Sequence, residues 1–391
     1  MSVHSLALPP LSLYVHIPWC VRKCPYCDFN SHKADQALPE AAYIAALLDD
    51  LDRDLHWLTE MGVPARPIDS IFFGGGTPSL LSVEAYRQFF HDLKQRCEFS
   101  PDIEITMEAN PGTFEAEKFK GYHELGINRL SIGIQSFNDE HLKKLGRIHS
   151  GDEALRAIEL AKRAGFDNFN LDFMHGLPDQ SQQQALNDLQ LGIDCQPTHI
   201  SWYQLTIEPN TEFFKRPPKL PEDETLWAIQ EAGQSLLAKH GYQQYEISAY
   251  AKANKQAKHN LNYWQFGDYL GIGAGAHGKL TIPHDDIEKS HLYRTAKTRL
   301  PKDYLNLAKS FTAKTDDILP EDRDLEFLMN ALRLHNGVPN TLFSERTGLP
   351  LSQIEPKLEK LKQDGWLERG GRIAPTEKGR LFLNELLERF L

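Results

Sequence analysis

Three of the chain's five cysteines fall in one short stretch, Cys20-Val-Arg-Lys-Cys24-Pro-Tyr-Cys27. A C-x3-C-x2-C spacing brings three thiolates to one soft centre. Zinc is one candidate, because these sulfurs and His16 could close a tetrahedron. Structural zinc sites usually pair two separated C-x2-C motifs, however, and the sequence holds no second pair. An iron–sulfur cluster fits better. A [4Fe–4S] cluster normally takes four cysteines. Three leave one iron without a protein ligand, and an open coordination position is where a metal does chemistry. Cys97 and Cys195 stand alone and read as small buried residues.

A second feature is Gly74-Gly75-Gly76-Thr77-Pro78. It is not a P-loop, because no Lys-Ser/Thr follows at Walker spacing. On its own it reads equally as a tight strand-to-helix turn and as a place where bare backbone approaches a ligand.

These residues need elements to position them. Residues 11–17 alternate apolar with polar and predict a strand that runs into the cysteine loop. Helical spacing follows over 40–58, then a strand at 70–73 ahead of the glycines and a helix over 83–97. Further strands are expected at 103–108, 129–134, 168–174 and 199–205, and helices at 114–124, 139–145, 152–164 and 182–194. Six strands alternating with helices imply a parallel sheet with right-handed crossovers. The glycine and polar motifs all sit just after strands, the end at which parallel barrels carry their active sites.

Beyond about 215 the pattern loosens. A helix is expected over 222–239, a glycine- and aromatic-rich stretch over 241–278, and a polar, poorly periodic stretch over 281–320. From 321 the chain turns helical. Residues 340–391 predict two short helices, a glycine-rich hairpin from Gly365 to Ile373 and a last helix, similar to a winged-helix module. The expected division is therefore 1–215, 216–320 and 321–391. From residue 341 nine basic residues face eight acidic ones, which argues against DNA binding. The net charge of −11 points the same way, so no nucleic-acid partner is expected. The composition is that of an ordinary globular protein, with 41% hydrophobic and 25% charged residues. No apolar run approaches the roughly 20 residues that span a bilayer. The first residues lack a basic n-region and are broken by Pro9, Pro10 and Pro18, so a cytoplasmic location is expected.

The cysteine spacing, with the aromatic Tyr26 before the last Cys, resembles the radical S-adenosylmethionine (SAM) superfamily. That resemblance implies an open (β/α)6 partial barrel, a C-terminal winged-helix-like domain and a cluster held by Cys20, Cys24 and Cys27. It also implies SAM on the open iron, cleaved by a cluster electron to methionine and a 5′-deoxyadenosyl radical, and hence an electron donor. Arg129-Leu-Ser131-Ile-Gly133-Ile-Gln135, Leu145-Gly-Arg147 and Asn170-Leu-Asp172 through Gly176-Leu-Pro178 resemble the oxygen-independent coproporphyrinogen III oxidases and their relatives. By that resemblance Tyr14, Tyr26, Gly75, Gly76, Thr77, Glu108, Gln135, Arg147 and Asp172 line the SAM pocket, with Arg147 facing the methionine carboxylate and Asp172 the ribose or adenine.

Two departures separate the chain from the oxidase itself. The oxidase pattern carries a further Cys two residues after the third ligand, where this chain has Phe29. Only nineteen residues precede Cys20, where the oxidase has a sizeable extension. Both departures match the haem-chaperone branch. His259-Asn260-Leu-Asn-Tyr263-Trp264 matches the H-N-x-x-Y-W signature associated there with haem binding, and an imidazole flanked by aromatics is chemically suited to a porphyrin. His277, in Gly273-Ala-Gly-Ala-His277-Gly, is a second candidate, though its glycine setting reads as a tight turn near the pocket floor. The resemblance implies haem transfer to respiratory acceptor proteins, no decarboxylation of coproporphyrinogen III, a homodimer, and peripheral membrane association through the acceptors.

Overall fold

The computed structural model describes residues 6–34, 37–113, 116–284, 289–306 and 308–391. Strand β1 (Leu11–Ile17) sets the logic of the fold. Successive side chains of a strand point to opposite faces. Leu11, Leu13, Val15 and Ile17 are buried toward the helical layer, so Ser12, Tyr14 and His16 face the other way, into the lumen of the curved sheet. The same alternation runs through β2 (Ile68–Gly75), β3 (Phe99–Ala109), β4 (Arg129–Gln135), β5 (Phe169–His175) and β6 (His199–Gln204). Their outer residues, such as Ile71, Phe73, Met107, Ile132, Leu171 and Ile200, join one core with helix residues Leu47, Leu51, Phe89, Ile158 and Leu189. Apart from Phe72, many of their lumen residues are polar and bonded to one another. Ser12 Oγ meets Ser70 Oγ at 2.7 Å, and Asn170 holds both Ser131 and His199.

The six strands pair in chain order, all parallel. Helices α1 (Glu40–Glu60), α2 (Val83–Leu93), α3 (Ala116–Glu124), α4 (Asp139–Lys144), α5 (Gly151–Arg163) and α6 (Gln182–Asp194) lie between them. This is the expected open (β/α)6 arrangement. Capping boxes, Ser150 with Glu153 and Ser181 with Gln184, fix where α5 and α6 begin. Helix α2 stops at Leu93, short of Cys97, and the first two residues of the helix expected over 114–124 lie outside the described residues.

The loosened stretch is mostly sheet. After α7 (Asp223–Lys239), strands β7 (Gln243–Gln244) and β8 (Ala249–Ala251) extend the β6 edge antiparallel. On the opposite edge β9 (Asp268–Ile272) pairs parallel with β1, and β10 (His277–Ile282), β11 (His291–Lys297) and β12 (Thr312–Asp317) follow antiparallel. Among the described residues this makes one sheet of twelve strands. Sequence patterning missed the outer strands because β12 is nearly all exposed and polar, so no apolar alternation marks it.

A buried ion network ties β11 to α1. Lys297 Nζ lies 2.7 Å from both Asp50 and Asp54, and Tyr304 donates to Asp50 at 2.6 Å. Three charges are unevenly matched there, two carboxylates to one ammonium. Burial pushes Asp54 up to about 6 against the pull of Lys297.

Helix α8 (Lys258–Trp264) lies across the lumen end opposite the cysteine loop. Its Lys258 N–H donates to Glu104 of β3, and Asn262 donates to Ser12 of β1 and to the Asp268 carbonyl. From Arg323 onward, α9 (Arg323–Ala331), α10 (Asn340–Thr347) and α11 (Glu355–Gln363) pack Phe327, Phe343 and Leu358 around Trp366. That core also takes in Phe266 and Leu292. The hairpin expected from Gly365 to Ile373 is instead a single bridge, Leu367 to Pro375, beside a short pairing of Val338–Pro339 with Arg372–Ile373. No helix among the described residues is long and apolar enough to cross a membrane.

Candidate cluster and ligand site

The cysteine loop leaves β1 at Pro18 and is pinned at both ends. Trp19–Cys20 pairs in parallel with His32–Lys33, and the Pro18 carbonyl accepts from His32 N–H at 2.7 Å. A turn closed by Cys27 N–H on the Cys24 carbonyl, 3.1 Å, folds the last two cysteines back. Cys20, Cys24 and Cys27 thereby line one cavity of about 330 Å³. Burial pushes the Cys20 and Cys27 thiols up. His16 cannot complete a zinc tetrahedron as it stands. Its Nδ1 bonds Tyr14 Oη at 2.9 Å and its Nε2 bonds the Asn30 carbonyl at 2.9 Å. Among the described residues no three His, Cys, Asp or Glu side chains converge on a single metal ion.

The glycine loop forms the adjoining wall. Gly76 and Thr77 N–H groups donate to the Ile17 and Trp19 carbonyls, both at 2.7 Å, so the glycine and cysteine loops are stitched together. A Cβ on Gly75, whose φ is +109°, would stand 2.6 Å from the His16 ring. A Cβ on Gly76 would overlap the Trp19 carbonyl oxygen. Both positions accept only hydrogen.

Charged groups close the cavity. Glu108, at the end of β3, accepts from Gly75 N–H at 3.2 Å. Burial, then the nearby Asp172, pushes its carboxyl up to about 8. Burial also raises Asp172, which accepts from Ser131 Oγ at 2.9 Å and Asn170 Nδ2 at 2.7 Å. Arg147 donates to Asn110 Oδ1 at 2.6 Å and the Gly133 carbonyl at 2.7 Å, and lies 3.7 Å from Cys24 Sγ. Burial works against its cation, but Tyr26 and Cys24 outweigh burial and raise it. Its Nε is buried without a partner, a donor left for something the protein itself does not supply. Gln135 takes a left-handed φ of +69° at the end of β4 and accepts from Tyr203 Oη at 2.8 Å.

Tyr26, Gly76, Thr77, Glu108, Gln135, Arg147 and Asp172 thus line the cysteine cavity. Tyr14 and Gly75 line a neighbouring chamber of about 620 Å³, which shares Glu108 and Phe29 with the first cavity. Sequence reasoning did not single out Asn110, Ser131, Ser201 or Tyr203, which also line the cysteine cavity. Ser131 and Ser201 were findable, since each lies on the lumen side of its strand. Gly271 and Gly273 stand behind the second chamber, where an added Cβ would overlap the carbonyl oxygen of His277 or His16. His259 is on neither wall. It is buried below the chamber, stacked on Phe72 with ring centroids 4.7 Å apart and on Tyr14 at 6.1 Å. Burial pushes its imidazole down to about 3, and its Nδ1 has no partner.

Three thiols on one cavity, two buried carboxylates with raised pKa values, an orphan guanidinium N–H and a glycine wall suit a multi-iron cluster beside a cationic ligand. Comparison with known proteins agrees. The radical SAM superfamily profile matches residues 14–192, and the HemN C-terminal domain profile matches 318–382. The chain is 54% identical to the haem chaperone HemW of Haemophilus influenzae over 98% of both chains. It is 51% identical to HemW of Escherichia coli, over 98% of this chain and 99% of that one, and 34% identical to HemW of Bacillus subtilis, over 97% and 99%. Coproporphyrinogen III oxidase (HemN) of Escherichia coli shares the fold, with a TM-score of 0.79 and 22% identity over 98% of this chain and 90% of that one. A [4Fe–4S] cluster and SAM are the cofactors of the superfamily, the residues of the cysteine cavity fit them, and full-length identity at this level places the chain in the HemW family of radical SAM proteins.

Proposed function

We propose that this chain is a cytoplasmic haem chaperone that carries a [4Fe–4S] cluster and SAM and passes haem to respiratory acceptor proteins. Cys20, Cys24 and Cys27 are the cluster ligands in this reading. The cluster, when bound, supplies an open iron and an electron for SAM. Around it the chain supplies Glu108 as an acceptor for a cationic group, Asp172 as an acceptor for sugar or base donors, and Arg147 as a fixed positive charge. Tyr14, Tyr26, Gly75, Gly76, Thr77 and Gln135 shape the SAM pocket. Division at about 215 and 320, into barrel, extension and C-terminal domain, belongs to the same reading. So do a separate electron donor, a homodimer, peripheral contact with membrane-bound acceptors, and no nucleic-acid partner.

The observation that carries the haem reading is the second chamber. It adjoins the cluster cavity, is walled by Tyr14, Tyr263 and Tyr269, and has Phe29 at its border. The oxidase pattern has a Cys at the Phe29 position, so the chain gives this border an apolar ring, 60% exposed, in place of a thiol. His259 serves the haem from beneath, by holding Tyr14 and Tyr263 in place. Haem titration of anaerobically reconstituted wild type and His259→Ala tests this. Wild type is expected to bind haem, the variant to bind it more weakly with the cluster retained, and wild type to leave coproporphyrinogen III unchanged. Decarboxylation of coproporphyrinogen III would move the chain to the oxidase reading.

A further inference from the structure

Resting on the haem-chaperone reading, we propose that haem sits in the second chamber with His277 as its iron ligand and Arg299 beside a propionate. At about 620 Å³ the chamber falls within the roughly 300–1,000 Å³ of small-molecule and cofactor sites. Two histidines line it, His16 and His277. Both nitrogens of His16 are engaged by Tyr14 and Asn30. His277 is exposed, and neither of its ring nitrogens is hydrogen-bonded among the described residues. Its backbone is fixed as the first residue of β10, opposite Ala296 of β11. Tyr263 and Tyr269 are held as phenols by burial. They offer ring faces, with centroids 4.2 Å apart, rather than phenolate ligands.

The cations of the chamber divide the same way. Lys297 lines it, but its ammonium is held by Asp50 and Asp54. Arg299 is exposed, and no carboxylate pairs with it among the described residues, which leaves its fork for an incoming carboxylate. Asn30 holds this arrangement to the cluster loop. Its Nδ2 donates to the Arg299 carbonyl at 2.8 Å and to the Ala274 carbonyl at 2.9 Å. One amide therefore links the cysteine loop, the glycine-rich turn that leads to His277, and the turn that carries Arg299.

The test is a haemin titration of the full chain, reconstituted with its cluster, followed by absorption and electron paramagnetic resonance. His277→Ala should shift the Soret band and the haem spin-state signal and weaken binding about tenfold or more, while the cluster absorbance is retained. Added imidazole should restore the wild-type spectrum. Arg299→Gln should weaken binding several-fold with the spectrum unchanged, and His259→Ala should keep the wild-type ligation spectrum. A wild-type spectrum in His277→Ala, or its loss in His259→Ala alone, would overturn the His277 assignment while leaving the haem reading intact. Failure of the wild-type protein to bind haemin would overturn both.

Discussion

Two places in this molecule bury charge, and they do so in opposite ways. In the network between α1 and β11 Lys297 Nζ lies 2.7 Å from both Asp50 and Asp54 and Tyr304 donates to Asp50 at 2.6 Å, with Thr312 Oγ1 and the Gly273 N–H adding contacts at 3.0–3.3 Å. In the cysteine cavity Glu108 accepts one backbone N–H at 3.2 Å, and Arg147 Nε has no partner at all. In the first arrangement both carboxylates, though they outnumber the ammonium, find their partners within the chain. The second is complete only with something added. Burying charge is unfavourable unless it is paired, so half-paired buried groups that line a cavity have hydrogen-bonding capacity to offer a ligand.

Three experiments sharpen or break the contrast. The largest effect is expected at the cysteines. Cys24→Ser should abolish the brown chromophore of reconstituted protein, because thiolates hold the iron and sulfide. Cys97→Ser and Cys195→Ser should leave it. A chromophore that survives in Cys24→Ser would remove this loop from the site. Next is Lys297→Ala, which strands two buried carboxylates. It should cost about 3–5 kcal/mol in chemical denaturation with little effect on SAM affinity in the protein that remains folded. A loss below about 1 kcal/mol would mean that the network is not the structural pole of the comparison.

The smallest effects belong to the cavity carboxylates. Glu108→Gln and Asp172→Asn should each weaken SAM binding roughly ten- to hundredfold by calorimetry, with stability little changed. A pH signature accompanies this. The Glu108 carboxyl, raised to about 8 from an unfolded value near 4.3, is protonated at pH 7 in the free cavity. Its contribution to stability is fully present below the unfolded value and is lost as pH rises through about 8. A cationic ligand favours the ionised form. Binding at pH 7 should therefore release up to about one proton and strengthen as pH rises toward 8. Binding heats that do not depend on the ionisation enthalpy of the buffer would contradict the role of Glu108.

Much of the cysteine cavity was legible in the sequence, and the reason is the strand period. Once β3, β4 and β5 are recognised, Glu108 and Gln135 must fall at lumen-facing strand ends and Asp172 on the lumen face in mid-strand, and the cysteine and glycine loops must follow β1 and β2. The second chamber was not legible. Its walls come from β9, β10 and the turn at Arg299, where the pattern is broken by glycine or is polar throughout. The H-N-x-x-Y-W stretch was noticed, but not its place. Its histidine faces inward on a short helix laid across the end of the barrel, and Asn262, at an x position of the motif, ties that helix to Ser12 and to the Asp268 carbonyl. Nothing in a local motif reports that it closes a lumen built by strands more than 150 residues away in the chain.

The glycines behind the chamber carry one more consequence, and it is kinetic. With Gly271 and Gly273 seated against the carbonyls of His277 and His16, the backing of the chamber is backbone on backbone and has no rotamers to freeze when cargo arrives. The exposed side chains at the rim, Phe29, His277 and Arg299, are then the ones to be ordered on capture, and the same side chains set how fast the cargo leaves. A carrier must let go as well as hold. A rigid wall with a sparse, exposed rim lets residence time be tuned at the rim without rebuilding the barrel behind it.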